Sequence, residues 1–245
     1  EISAAKIGNV EYETLAAAFA AAKDGETIVL LKNSSGNGIQ VNTEKFVNQG
    51  LTVDFNGHTY TVGGVLVGST GTGTNAFQLL AGGKVTFMNG SIVGVAEGTK
   101  PAEDTPNWHG APAMMIQNYC DLTLQNMTIS GGDETVYTMS NNHGNVVIKD
   151  TTINAGKAKG SSYSPYAFDV CGYSSYTGVS VSVENSTING NIELSKSKGN
   201  TYDATLTLGS GTTVNGSISV GDNGDKVAVT KDNSVDVAAP DGYKW

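Results

Sequence analysis

Apolar and polar positions alternate along most of the chain, and from Leu51 to Val220 the alternation settles into one short phrase used six times. VDFNGHTY starts at Val53, VTFMNGSI at Val85, LTLQNMTI at Leu122, VVIKDTTI at Val146, VSVENSTI at Val181 and LTLGSGTTV at Leu206. Each is an apolar–polar–apolar triplet, then a turn residue (Asn, Asp, Gly or Ser), then Thr or Ser beside Ile, Tyr or Val. A period of two predicts a strand, and Asn or Gly between two such runs predicts a tight bend. The starts lie 32, 37, 24, 35 and 25 residues apart, a period that marks a repeat architecture. The two shortest spacings fit one turn of a parallel β-solenoid, and the longer ones fit the same turn with a loop inserted.

Each repeat is predicted to hold three strands. The first turns Val53/Phe55, Val85/Phe87, Leu122/Leu124, Val146/Ile148, Val181/Val183 and Leu206/Leu208 inward. The second contributes Tyr60, Ile92, Ile129, Ile153, Ile188 and Val214. The third contributes Phe77/Leu79, Met114/Ile116, Tyr137/Met139, Phe168/Val170, Ile192/Leu194 and Ile218/Val220. Like residues would then stack on like. Outside, the same stacking sets Thr59, Ser91, Thr128, Thr152, Thr187 and Thr213 in one column. Asn89, Asn126, Asp150 and Asn185 would form a turn column in a left-handed bend, their amides bonding repeat to repeat.

Before the repeats, Ile7 to Tyr12 reads as a strand and Thr14 as the N-cap of a helix. Leu15, Ala18, Phe19 and Ala22 share one face of that helix, and Gly25 stops it. An amphipathic helix here has a clear task, because the open end of a stacked sheet exposes both core and strand edge. The stretch YETLAAAFAAAKDGETIVLL resembles the capping opening of right-handed parallel β-helix domains of the pectate-lyase-like superfamily. It is most similar to the modules found in large secreted surface proteins of Gram-positive bacteria, and APDGYKW is similar to the close of such modules. The resemblance implies an all-β, right-handed parallel β-helix of about 7–8 coils behind an N-terminal amphipathic capping helix. One domain would fill 1–245, with a cap over 1–26, coils over 27–225 and a C-terminal cap or tail over 226–245. Val227–Val229 and Val235–Val237 read as short closing strands. The superfamily holds lyases, hydrolases and inert adhesin stalks alike, so the fold does not fix the activity.

Composition narrows the partners. A net charge of −9 and a pI near 4.7 set the surface against nucleic acid and anionic membranes. No apolar run approaches the roughly 18 residues that span a bilayer. All 14 basic residues are lysine. Cys120 and Cys171, about two repeats and hence ~10 Å apart, are too distant for a disulfide and are expected to be packed thiols. The chain opens on Glu1 and reads as a trimmed mature form, expected to belong to a larger multidomain surface protein outside the cell, secreted or wall-attached. His58, His109 and His143 do not resemble a metal triad, and no metal or cofactor is expected. Five glycosylation-type sequons, at Asn33, Asn89, Asn126, Asn185 and Asn215, mostly coincide with the repeat phrase and are explained by turn chemistry.

Function on a repeat scaffold tends to reside in what is not repeated. From second-strand apolar residue to third strand the gap is 17, 22, 8 and 15 residues, then 4 and 4. The insertions at 63–75, 94–111, 131–135 and 155–165 would therefore lie side by side on one flank. Long, short, long makes a groove, with Asp133 and Glu134 as floor and Trp108/His109 and Tyr163/Tyr166 as walls. Aromatic faces stack on sugar rings while carboxylates accept their hydroxyls, which makes a glycan, or a host or bacterial surface component bearing one, the expected ligand. As an alternative, Asp133 or Glu134 paired with Asp104 or Asp169 would suit a glycoside hydrolase, since carboxylates on neighbouring and alternate repeats lie ~5 and ~10 Å apart. A lyase would need a basic residue, often Arg in the related families, and acids for calcium; this chain has no Arg and no compact Asp cluster. The expectation is a non-catalytic module, a stalk or an adhesin-like glycan-binding domain, with a polysaccharide-active enzyme as the alternative.

Overall fold

The computed structural model describes residues 3–69, 73–95 and 112–245. Among these the chain is mostly β, arranged in a fifteen-stranded and a seven-stranded sheet. Almost all pairings are parallel, and each joins a strand to its counterpart in the next repeat. In the second position Tyr60 lies over Ile92, Ile92 over Ile129, Ile129 over Ile153, Ile153 over Ile188 and Ile188 over Val214. The neighbouring outward column runs unbroken from Thr59 through Ser91, Thr128, Thr152 and Thr187 to Thr213. Both columns are as the alternation predicts, because a strand's register is set by which face it must bury.

Two columns depart from expectation. In the first position Leu51 lies over Val85 and Val53 over Phe87, a slip of two residues from a Val53-over-Val85 alignment. Four residues, Phe55 to His58, separate Asp54 from Thr59, against two, Asn89 and Gly90, between the matching Met88 and Ser91. Phe55 stays buried inside this longer turn, its ring 5.6 Å from that of Phe87. In the third position Phe77 pairs with Ile116 and Leu79 with Asn118, while Met139 pairs with Phe168 and Asn141 with Val170. Matching apolar to apolar misplaces these strands because two inward positions are asparagines. Asn118 and Asn141 are fully buried. Asn118 accepts the Cys120 N–H and donates to the Cys120 carbonyl, and Asn141 donates to the carbonyl of Asp169, so burial leaves these donors partnered.

The turn column is left-handed as predicted: φ is +63° at Asn89, +53° at Asn126, +49° at Asp150 and +46° at Asn185. The Asn126 amide donates to Asn89 Oδ1 and the Asn89 amide to Asp54 Oδ1. Asp150 accepts the amides of Asn185 and Gln125. A second amide row follows the second strands, where Asn215 donates to Asn189, Asn189 to Asn154 and Asn154 to Ser130 Oγ, at 2.8, 2.8 and 3.0 Å.

At the N-terminal end the strand expected over Ile7 to Tyr12 is two antiparallel strands, Ala5–Ile7 and Val10–Tyr12, hinged at Gly8 with φ +57°. Thr14 caps the helix Leu15–Ala21 by accepting the Ala17 N–H. Leu15, Ala18, Phe19 and Ala22 are buried, and the Phe19 ring meets those of Phe77 and Phe87. The helix stops at Ala21 with Ala22 extended, ahead of Gly25. At the other end Ala228–Lys231 forms the last strand. Val235 and Val237 are buried without pairing as a strand, beneath Trp245, whose ring N–H donates to Val237 O. The Tyr243 hydroxyl sits 2.7 Å from Gly224 O and 2.5 Å from Val227 O. Cys120 and Cys171 are free thiols, and among the described residues no helix is long and apolar enough to cross a membrane.

Asn126 serves the fold twice, through its bend and its amide. Asn126→Ala is expected to cost about 2 kcal/mol and Asn126→Gly about half of that, since glycine keeps the positive φ and loses only the hydrogen bond. Urea unfolding of the two variants checks this; equal losses would remove the left-handed bend from the account.

Candidate functional site

Every third strand sends its residues outward and inward in a fixed order, and the outward row carries the chemistry. It begins with amides: Gln40 donates to Gln78 Oε1 at 2.6 Å and Gln78 to Gln117 Oε1 at 2.8 Å. In the next repeats the same row holds Ser140, Asp169 and Glu193. Asp169 and Glu193 thus face each other across one strand spacing, ~4.8 Å. Beside them Tyr137 lies over Tyr166, the rings stacked with centroids 5.3 Å apart and 16° between planes. The Tyr137 hydroxyl donates to Glu193 Oε1 at 2.6 Å.

Asp169 is only 5% exposed. Its carboxyl accepts the Asn141 N–H at 2.6 Å and the Ser140 hydroxyl at 3.2 Å. Those bonds favour the charged form, yet burial outweighs them and, with Glu193 adding to it, pushes the carboxyl up to about 8. Asp169 therefore holds its proton at neutral pH. Cys171, two residues on along the same face, is pushed up to about 11 by burial and then by Asp169, which leaves an unreactive thiol. Burial, followed by the bond to Glu193, raises the Tyr137 phenol.

A groove of about 620 Å³ opens over this row. Cys171, Glu193 and Ser195 form its floor, Tyr163 and Tyr137 border one side, and Tyr173 borders the other. Tyr163 is 69% and Tyr173 43% exposed. Tyr173 also belongs to an aromatic corner: its ring lies 6.2 Å from Tyr119 and 6.3 Å from Tyr176, Tyr119 lies 5.2 Å from Tyr176, and His143 lies 5.0 Å from Tyr176. His143 is fixed there by a 2.8 Å contact between Nδ1 and Gly178 O. Burial and then the neighbouring phenols push Tyr119 up to about 12.

The residues singled out from sequence are distributed differently from the expected cleft. Tyr163, Tyr166 and Asp169 fall on or beside this groove. Asp133 and Glu134 do not line it. Asp133 is 3.2 Å from Lys157 Nζ and its carbonyl accepts the Lys159 N–H, so it ties the third insertion to the fourth. Beside it, the Thr135 hydroxyl donates to Pro112 O. Asp104, Trp108 and His109 lie outside the described residues. Glu193, Tyr137 and the Tyr119–Tyr173–Tyr176 corner are not among the residues that the insertions single out. The signal was present in NIELSK, where Glu193 stands between two inward apolar residues and so must point out. Among the described residues no group of three or more His, Cys, Asp or Glu is gathered as a metal site.

No protein-family model matches the chain, and comparisons with curated proteins and with solved structures return no match.

A carboxyl raised from 3.8 to about 8 binds its proton more tightly folded than unfolded. Its contribution to stability is full below about pH 4 and is lost as pH rises through about 8. Asp169→Asn, which is neutral throughout, is expected to be more stable than the wild type at pH 9 by on the order of 2 kcal/mol, and to lose this advantage by pH 4. Thermal melts of both proteins across that range check the sign; a variant that loses its advantage as pH rises would contradict the burial argument.

Proposed function

We propose that this chain is a right-handed parallel β-helix module of a secreted or wall-attached bacterial surface protein, and that it binds glycan without breaking bonds. Three-strand repeats in parallel register support the coiled architecture, as does the resemblance of both ends to modules of the pectate-lyase-like superfamily. The observation that carries the binding reading is the segregation of aromatic side chains. Six of the chain's ten tyrosines fall from Tyr119 to Tyr176; five lie along the third strands or the corner that follows, and Tyr163 stands in the loop just before one of these strands. Exposed tyrosine faces beside hydrogen-bonding carboxyls are the chemistry of sugar recognition.

A second reading, a polysaccharide hydrolase, is favoured by one arrangement. Asp169 keeps a proton to donate, and Glu193 stands one strand away, near the carboxyl separation of retaining glycosidases, about 5–5.5 Å. The buried position of Asp169 argues against it, because a general acid must reach the glycosidic oxygen.

A glycan array run alongside a reducing-end assay separates the two. Binding with no released sugar is the expected result. Release of reducing ends that disappears in Asp169→Asn and Glu193→Gln would replace the module with an enzyme, and the absence of any bound glycan would leave only a stalk.

A further inference from the structure

Resting on that glycan-binding reading, we infer that the groove over Glu193 is the saccharide site, and that it takes an uncharged oligosaccharide lying across the strands with Tyr163 and Tyr173 against its ring faces. The groove runs over two neighbouring third strands, Tyr166–Gly172 and Asn191–Lys196, with Tyr137 at one edge and Gly221, just past the strand Ile218–Val220, at the other. Its volume of about 620 Å³ suits a chain of sugars better than a single ring.

The lining excludes other occupants. It contains tyrosine, serine, glycine, asparagine, acids, lysine and one cysteine, and no Leu, Ile, Val, Met or Phe. A peptide or an acyl chain would find no aliphatic pocket to fill, whereas a row of hydroxyls finds hydrogen-bonding partners along its length. The two aromatic walls differ in rigidity. Tyr173 is braced by Tyr119 and Tyr176, while Tyr163 stands on an exposed loop, its N–H bonded to Ser161 Oγ. One wall is thus preorganised, and the other presents its ring from an exposed loop.

Glu193 is the polar anchor. The Tyr137 hydroxyl donates to Oε1 and the Tyr166 hydroxyl also bonds the carboxylate, so both hold the side chain at the groove floor, and the lone pairs that remain on a carboxylate can accept from a sugar hydroxyl. Charge also sets the class of sugar. Glu193 and Asp222 border the groove together with Lys196 and Lys198, so the formal charges of the lining cancel, while the protein as a whole carries −9. A polyuronate would therefore find no surplus of cations to hold it, and would meet Glu193 at the floor and a net-negative protein around it.

Titration calorimetry with tetrasaccharides of neutral gluco-, manno- and N-acetylglucosamine series, and with oligogalacturonate as the charged comparison, tests this. For whichever neutral probe binds, Tyr173→Ala and Glu193→Gln are each expected to weaken binding about tenfold, and Tyr163→Ala to do so with an unchanged melt, since its ring is 69% exposed. Tyr202→Ala, exposed but outside the groove, should bind as the wild type does. Neutral binding untouched by the three groove variants would place the site elsewhere and leave the module reading standing. Oligogalacturonate binding more tightly than every neutral probe would overturn the sugar class. No binding by any glycan would remove the glycan-binding reading along with the site and leave only a stalk.

Discussion

Parallel backbone pairing from one repeat to the next is the constraint under which everything else here is arranged. A strand flanked on both sides by its counterparts has its N–H and C=O groups partnered along its whole length, which is the condition for burying it. That condition holds only if each residue sits over the matching residue of the neighbour, so the pairing fixes side-chain columns as well as hydrogen bonds. The isoleucine column at the second position, the threonine column outside it and the left-handed asparagines at the bend are three results of the same register. The ends cannot be paired this way. They are covered by a helix whose phenylalanine reaches the core, and by a C-terminal tail that bonds back through Tyr243 and Trp245.

Where side-chain type alone determined position, the sequence was enough. The second-strand column and the bend needed only alternation and the φ preference of asparagine. The third-strand register was not legible, because Asn118 and Asn141 stand where an apolar residue is expected. Their fitness for the interior lies in bonds to Cys120 and Asp169 that no periodicity reports. The first turn was misread for the opposite reason. Phe55 is apolar and buried, as an inward strand residue would be, but it occupies a longer turn. Burial could be read from the sequence there, and the element could not.

The same distinction explains the groove. Insertions draw attention because they break the pattern, yet the acid on the groove floor is carried by the strand residue Glu193 and one wall by Tyr173, just past a strand end. A row of outward positions becomes a surface only when neighbouring repeats are brought within one strand spacing, and that proximity joins residues 24 or more apart in the chain. Asp169 shows what such proximity does to chemistry. Glutamine at its equivalent positions in earlier repeats makes a neutral row, while a carboxyl at the same place, shut from water and beside a second one, keeps its proton.

The asparagine rows have a direction. From Asn215 to Ser130, and from Asn126 to Asp54, every amide donates toward the N-terminal end, so their dipoles add rather than cancel and each bond polarises the next. The row from Asn126 ends on the carboxylate-bearing side chain of Asp54, which faces the positive end of that sum much as an acid faces the start of a helix. The stack consequently carries rows with an electrical head and tail, these two pointing one way and the glutamines from Gln40 to Gln117 the other. Any segment joined to it in sequence or in assembly would meet acceptors at one end of such a row and donors at the other.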